Sequence, residues 1–190
     1  MGTTAGFTGT IGRYRDESEQ AWPEVPVAPD GAPNVLLVLL DDVGFAQLGC
    51  FGSSIPTPNL DRLASSGIRY TNFHTTALCS PTRACLLTGR NHHSVGMGRI
   101  IDLATGFPGY DAHIPDTAAM APAILTDAGY AAYAVGKWHL TPEHELSTGS
   151  SRARWPLGKG FERFYGFMDG ETNQFAPTLV HDNHYVTQPG

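Results

Sequence analysis

Cysteine is scarce in this chain: three residues in 190, Cys50, Cys79 and Cys85. So sparse and odd a set excludes a disulfide framework and suits a reducing compartment with one thiol reserved for chemistry. Long hydrophobic runs are missing too, and none approaches the ~18 residues of a membrane-spanning helix. Residues 1–20 are rich in Gly, Thr and charge and lack the apolar centre of a secretory signal. Basic residues are outnumbered, 12 Lys and Arg against 18 Asp and Glu, for a formal charge of -6. That balance argues against nucleic acid or an anionic membrane as a partner. No internal repeat is visible. Together these absences lead us to expect a soluble, cytoplasmic protein, and the length suffices for one domain with a sizeable core.

What the chain does have is punctuation, with 22 Gly and 14 Pro. Residues 1–33, with Pro23, Pro26, Pro29, Gly31 and Pro33, read as a poorly ordered lead-in. The ordered part is expected over 34–190. Val35–Leu40 is a continuous apolar run ended by Asp41-Asp42, the pattern of a central strand buried on both faces. Ligands of parallel α/β sheets bind beyond the carboxyl ends of strands, where both Asp fall. Adjacent carboxylates repel unless a cation neutralises them, so the pair is a candidate site for a hard metal. Thr57 to Gly67 carries helix start and stop signals, and Ile68–Phe73 alternates like a strand. Residues 99–116 read as a loop and Thr117 to Asp127 as a helix. Tyr130 to Val135 reads as a strand running into Gly136-Lys137-Trp138-His139. Lys137 and His139 share a side if strand geometry continues, and Trp138 is a packing residue. Adjacent His92 and His93 diverge and suit a loop. Arg152 and Arg154 fall in a solvated loop over 141–160. Residues 157–167 return the chain to the sheet, and 179–186 form a hairpin around Asp182-Asn183.

The most informative stretch is Cys79-Ser80-Pro81-Thr82-Arg83, leading to Thr88-Gly89-Arg90. Ser80 is a good N-cap, Pro81 suits the first helical position, and Gly89 a C-terminal stop. Cys79 then sits at a helix N-terminus, where free N–H groups and the helix dipole attract anions. Arg83 lies one turn further along the same face and can hold an anionic group against position 79. Cys85 points elsewhere and reads as core.

This wording resembles the Cys-x-Pro-Ser/Thr-Arg signature of the type I sulfatases, the arylsulfatase family of the alkaline-phosphatase-like superfamily. Asp41-Asp42-Val43-Gly44 is similar to that family's first block. Gly136-Lys137-Trp138-His139 is similar to its second signature, although Ala132 stands where Ser or Thr is preferred. The resemblance covers about residues 34–170, the N-terminal portion of such an enzyme. It implies an α/β alkaline-phosphatase-like sandwich with a mostly parallel central sheet, incomplete at its C-terminus. It also implies a sulfuric ester hydrolase acting on a small-molecule organic sulfate. Cys79 would be oxidised to Cα-formylglycine by a formylglycine-generating enzyme. Asp41, Asp42 and the modified Cys79 would ligate a divalent metal, Ca2+ or another such as Mg2+. Arg83 and Lys137 would neutralise the sulfate, and His139 would orient the hydrated aldehyde. In the family, further metal ligands and a general acid come from later residues. These 190 residues alone are therefore expected to be inactive. Two alternatives stay open: a phosphonate monoester or phosphodiester hydrolase sharing the nucleophile, and a non-catalytic metal-binding fragment.

Overall fold

The computed structural model describes residues 6–189; the first five residues of the expected lead-in and Gly190 lie outside the described residues. Within 6–33 the chain makes a one-turn 3-10 helix over Arg15–Glu17 and a β-bridge between Thr10 and Glu19.

Three helices follow the start and stop signals closely. Helix α1 (Pro58–Ser66) opens on Pro58 and ends at Gly67. Thr57 does not cap it through its side chain. Its hydroxyl accepts the Gly49 amide at 2.8 Å and donates to Asp61 Oδ1 at 3.0 Å, tying the helix start to the preceding turn. Helix α2 (Cys79–Thr88) ends where Gly89 takes φ 65, a left-handed conformation that glycine adopts without steric cost. Its N-cap is Leu78, not Ser80. Ser80 lies inside the first turn, fully buried, and its hydroxyl accepts the Ile101 amide at 3.4 Å. A tertiary partner thus displaces the local cap. Helix α3 (Ala121–Asp127) starts four residues later than expected, with Pro122 in its first turn, where a missing N–H costs nothing.

Four strands form one sheet in the order β1 (Tyr133–Lys137), β2 (Arg163–Phe167), β3 (Leu179–His181) and β4 (His184–Val186). β1 and β2 run parallel, in register from Tyr133 opposite Arg163 to Lys137 opposite Phe167. The other two pairings are antiparallel, so the sheet of the described residues, part of the α/β fold that the resemblance implied, is mixed where the resemblance implied a mostly parallel one. The crossover from β1 to β2, residues 138–162, carries Trp138 and Trp155 into the core. There they join Met97, Ile114, Met120, Leu140, Phe164, Met168 and Val180, all at most 3 % exposed. Each such side chain is worth roughly 1.5–3 kcal/mol of burial.

Two expected strands are absent. Val35–Leu40 has no ladder hydrogen bonds among the described residues, and its side chains are 40–89 % exposed. Ile68–Phe73 is likewise irregular, with Ile68, Tyr70 and Phe73 exposed. A strand exists only by pairing, and neither segment lies beside a backbone that could bond it. Cys85, read as core, is half-buried.

The expected hairpin is present, turning through Asp182-Asn183 with Asp182 at φ 56. Asp182 also locks the hairpin to β2. Its carboxylate accepts the Phe164 amide at 3.0 Å and faces Arg163 Nε at 3.1 Å. The Phe164 amide, and behind it Arg163, hold the Asp182 carboxyl below its ordinary value of 3.8. A depressed folded pKa adds stability that is complete above 3.8 and vanishes as pH falls through the folded value. Asp182→Asn, which tolerates the same backbone, should lose that acid-dependent component. Thermal melts of the two proteins should differ at neutral pH and converge under strong acid.

Candidate functional site

The site is assembled where the end of β1 meets the first turn of α2. Lys137 closes β1, and two residues later His139 takes φ 54, a conformation rare for any residue but Gly. Backbone bonds from Trp138 to Phe167 and from His139 to Met168, both 2.9 Å, hold the chain in that kink. The kink aims the buried imidazole at α2. Its Nδ1 lies 3.2 Å from Cys79 Sγ, and its Nε2 lies 2.7 Å from Asp102 Oδ2. Ionised Asp102 can only accept, so Nε2 carries the proton and Nδ1 turns its lone pair to Cys79. Burial holds His139 below its ordinary 6.5 and favours the neutral ring. Asp102 opposes that shift, while Lys137 and Arg83 add to it.

Asp102 belongs to a 3-10 turn, Ile101–Leu103, that the Ser80 hydroxyl anchors to α2 through the Ile101 amide. Ser80 thus sets the distance between Asp102 and Cys79. On the far side of the ring, Gly170 leaves room: a Cβ there would come within 2.8 Å of His139 Cε1.

The cations gather beside this pair. Arg83 Nη1 donates to the Lys137 carbonyl at 2.7 Å, which aligns the guanidinium beside the end of β1. Burial lowers the Arg83 pKa and the nearby Asp41 and Cys79 raise it back. From so high a starting value the group stays charged. Lys137 Nζ meets Asp41 Oδ2 at 3.0 Å, with the lysine side chain 7 % exposed and the aspartate 44 %. Cys79, Arg83, Lys137, His139 and Asp41 therefore lie together. Asp42 follows at φ 51, exposed, and does not join the hydrogen-bond network of the described residues. A cavity of about 340 Å³ opens beside Asp41, walled by Phe167, Gly170, the polar run Glu171–Gln174 and Pro177.

As metal ligands Asp41 and Asp42 have the right chemistry, being adjacent acceptor-only carboxylates that suit a hard cation. They supply at most four of the about six to eight oxygens calcium takes, so they make one side of a shell. Other candidates resolve as structure. His92 and His93, expected to diverge, instead pack with tilted rings 4.1 Å apart inside a 3-10 turn, and His92 Nδ1 lies 3.1 Å from the Met97 carbonyl oxygen. Arg152 donates to the carbonyls of Ser147, Ser150 and Thr148 and lies over Trp155 at 3.8 Å. Arg154 pairs with Glu145.

Sequence reasoning missed three residues here. Asp102 sits in a Gly- and Pro-broken loop with no spacing that links it to His139. Asp169, its carboxyl raised above 3.8 by burial and by Asp102, and Gly170 lie just past β2. Only the parallel pairing of β1 with β2 brings them near His139.

Comparison with known proteins adds independent evidence. The family model described as Sulfatase matches residues 33–188. An uncharacterized sulfatase of Schizosaccharomyces pombe is 40 % identical over 151 residues, covering 76 % of this chain and 26 % of that protein. The arylsulfatase of Klebsiella aerogenes is 34 % identical over 149 residues, covering 77 % of this chain and 30 % of its own length. Human N-acetylgalactosamine-6-sulfatase is 38 % identical over 149 residues, covering 70 % and 25 %. Among solved structures, the crystal structure of Ps i-CgsB superposes with a TM-score of 0.64 at 29 % identity, over 78 % of this chain and 36 % of that one. The chain thus spans about a quarter to a third of the length of the curated relatives it matches.

Because Asp102 raises the His139 pKa against burial, Asp102→Ala should lower it further. An NMR titration of the imidazole is expected to show a downward displacement, with the fold retained because Asp102 is 44 % exposed.

Proposed function

This chain belongs to the sulfatase family, and we propose that its site binds and hydrolyses small-molecule sulfate esters, with Cys79 as nucleophile precursor. The observation that carries this reading is the 3.2 Å approach of His139 Nδ1 to Cys79 Sγ, with the Arg83 guanidinium and the Lys137 ammonium beside it. A helix N-terminus, a guanidinium and an ammonium form a pocket for a tetrahedral oxyanion. Their charges stay fixed while charge develops on the ester oxygens, which is the arrangement that stabilises a transition state.

In this proposal each residue has one task. Arg83 grips two oxygens through its planar fork, and Lys137 offers a point charge to another. Lys137 exchanges Asp41 for the substrate anion. His139 accepts a proton at Nδ1 from the group borne by position 79, while Asp102 keeps Nε2 protonated and the ring oriented. Ser80 and Gly170 hold that geometry without touching substrate. Asp41 and Asp42 would hold the divalent cation, calcium or magnesium, which supplies charge neutralisation when bound. Cα-formylglycine, installed at Cys79 by a formylglycine-generating enzyme, supplies a hydroxyl nucleophile whose ester can break again, where Ser or Cys would keep a stable ester. The cavity beside Asp41 would take part of the alcohol.

Phosphonate and phosphodiester hydrolysis share the nucleophile wording and remain the second reading. The arylsulfatases among the relatives favour sulfate.

Co-expression with a formylglycine-generating enzyme should lower the mass of the peptide carrying residue 79 by about 18 Da, and Cys79→Ala should show no such change. Calorimetry with an aryl sulfate should show Arg83→Ala and Lys137→Ala each weakening binding by roughly 1.5–3 kcal/mol, the range for a charged hydrogen bond. Arg83→Lys should recover only part of that loss. Tighter binding of the matching aryl phosphonate would favour the second reading.

A further inference from the structure

We propose that His113, His144 and Glu145 form a second cation site, one suited to a divalent transition metal such as zinc and separate from Asp41 and Asp42. One ring nitrogen of each histidine and one carboxylate oxygen of Glu145 lie within 4.8 Å of one another. The two imidazoles face each other with centroids 5.4 Å apart. Two observations mark this cluster as a ligand site rather than a surface accident. Glu145 is buried, at 8 % exposure, and while its Oε1 pairs with Arg154, its Oε2 is enclosed without a hydrogen-bond partner among the described residues. The oxygen that approaches His144 is Oε1, 4.0 Å from its Nε2, so a cation there would share Oε1 with Arg154 and would also compensate the enclosed, unpartnered Oε2 of the same carboxylate. Independently, His113 Nδ1 lies against the Asp111 carbonyl oxygen. A carbonyl only accepts, so Nδ1 carries the hydrogen and Nε2 keeps its lone pair. That is the outer contact metal-ligating histidines make.

The donor set selects the metal. Two neutral imidazole nitrogens and one carboxylate oxygen suit zinc, which in such three-ligand sites keeps water in its fourth position. Calcium, which takes oxygen ligands, is disfavoured. Zinc bonds of about 2.0–2.2 Å require the ligand atoms to draw together. The His144 side chain, 67 % exposed, is free to supply that movement. Arg154 remains on Oε1, and its charge makes the site weaker than a closed four-ligand site.

The position gives the site a consequence. His113 lies on the loop that begins with Asp102, and His144 lies five residues after His139. A metal across them staples together the two segments that place Asp102 on His139. Binding to the folded form alone would also raise its melting temperature by mass action. None of this rests on the sulfatase reading.

The test is titration of the metal-free chain with Zn2+ by calorimetry, and with Co2+ by its visible absorption, in a large excess of Ca2+. One equivalent should bind, with tetrahedral cobalt bands and a rise in melting temperature. His144→Ala, at an exposed position that leaves the fold intact by circular dichroism, should weaken binding roughly tenfold or more. His113→Ala should do the same, while Asp41→Asn should bind as the parent does. Absence of binding to the parent chain, unchanged affinity in His144→Ala, or loss of binding in Asp41→Asn would each overturn the proposal.

Discussion

His139, held between Cys79 and Asp102, is the contact on which the rest of the site depends. It joins three segments that have no local reason to meet: the first turn of α2, the 101–103 turn and the end of β1. Its position requires a left-handed backbone that is uncommon outside glycine. That conformation is held by the sheet, because the Phe167 and Met168 carbonyls that fix residues 138 and 139 continue the parallel pairing of β2 with β1. Strain at residue 139 is thus offset by ladder hydrogen bonds and by a core built around Trp138, Phe164 and Met168.

The electrostatics follow from that placement. Burying an imidazole disfavours its charged form, and two neighbouring cations disfavour it further, so only Asp102 supports protonation. The same cations are kept near Cys79 by neutral or anionic partners, Arg83 by a carbonyl and Lys137 by Asp41. The result is a site at a helix N-terminus in which two cations and the carboxylates of Asp41 and Asp102 surround an imidazole that burial keeps toward its neutral form.

The apolar run before this pocket behaves differently from its pattern. Val35 to Leu40 is exposed and unpaired among the described residues, although Asp41 at its end still reaches Lys137. Burial of a continuous apolar run needs a partner strand on each side and a layer on each face, and four strands elsewhere do not provide them. Asp41 is therefore positioned by its ion pair, whereas Asp42, with no such contact, faces solvent.

Much was determined by local sequence alone. Helix starts and stops around 57–67 and 79–89 depend on Pro, Gly and their immediate neighbours, and the hairpin at 182–183 depends on two turn residues. Cys79 and Arg83 are one helical turn apart and share a face of α2, whereas Lys137 and His139 are brought together by the kink at His139 and not by a continuing strand. Tertiary structure alone decided the rest. Asp102 meets His139 across 37 residues, Gly170 clears space for it across 31, and Ser80 gave up a local cap for the Ile101 amide. His113 and Glu145 lie in different loops, and no spacing rule connects them. The same limit explains Val35–Leu40: hydrophobic pattern states which face can be buried, but only a neighbouring backbone turns an apolar run into a strand.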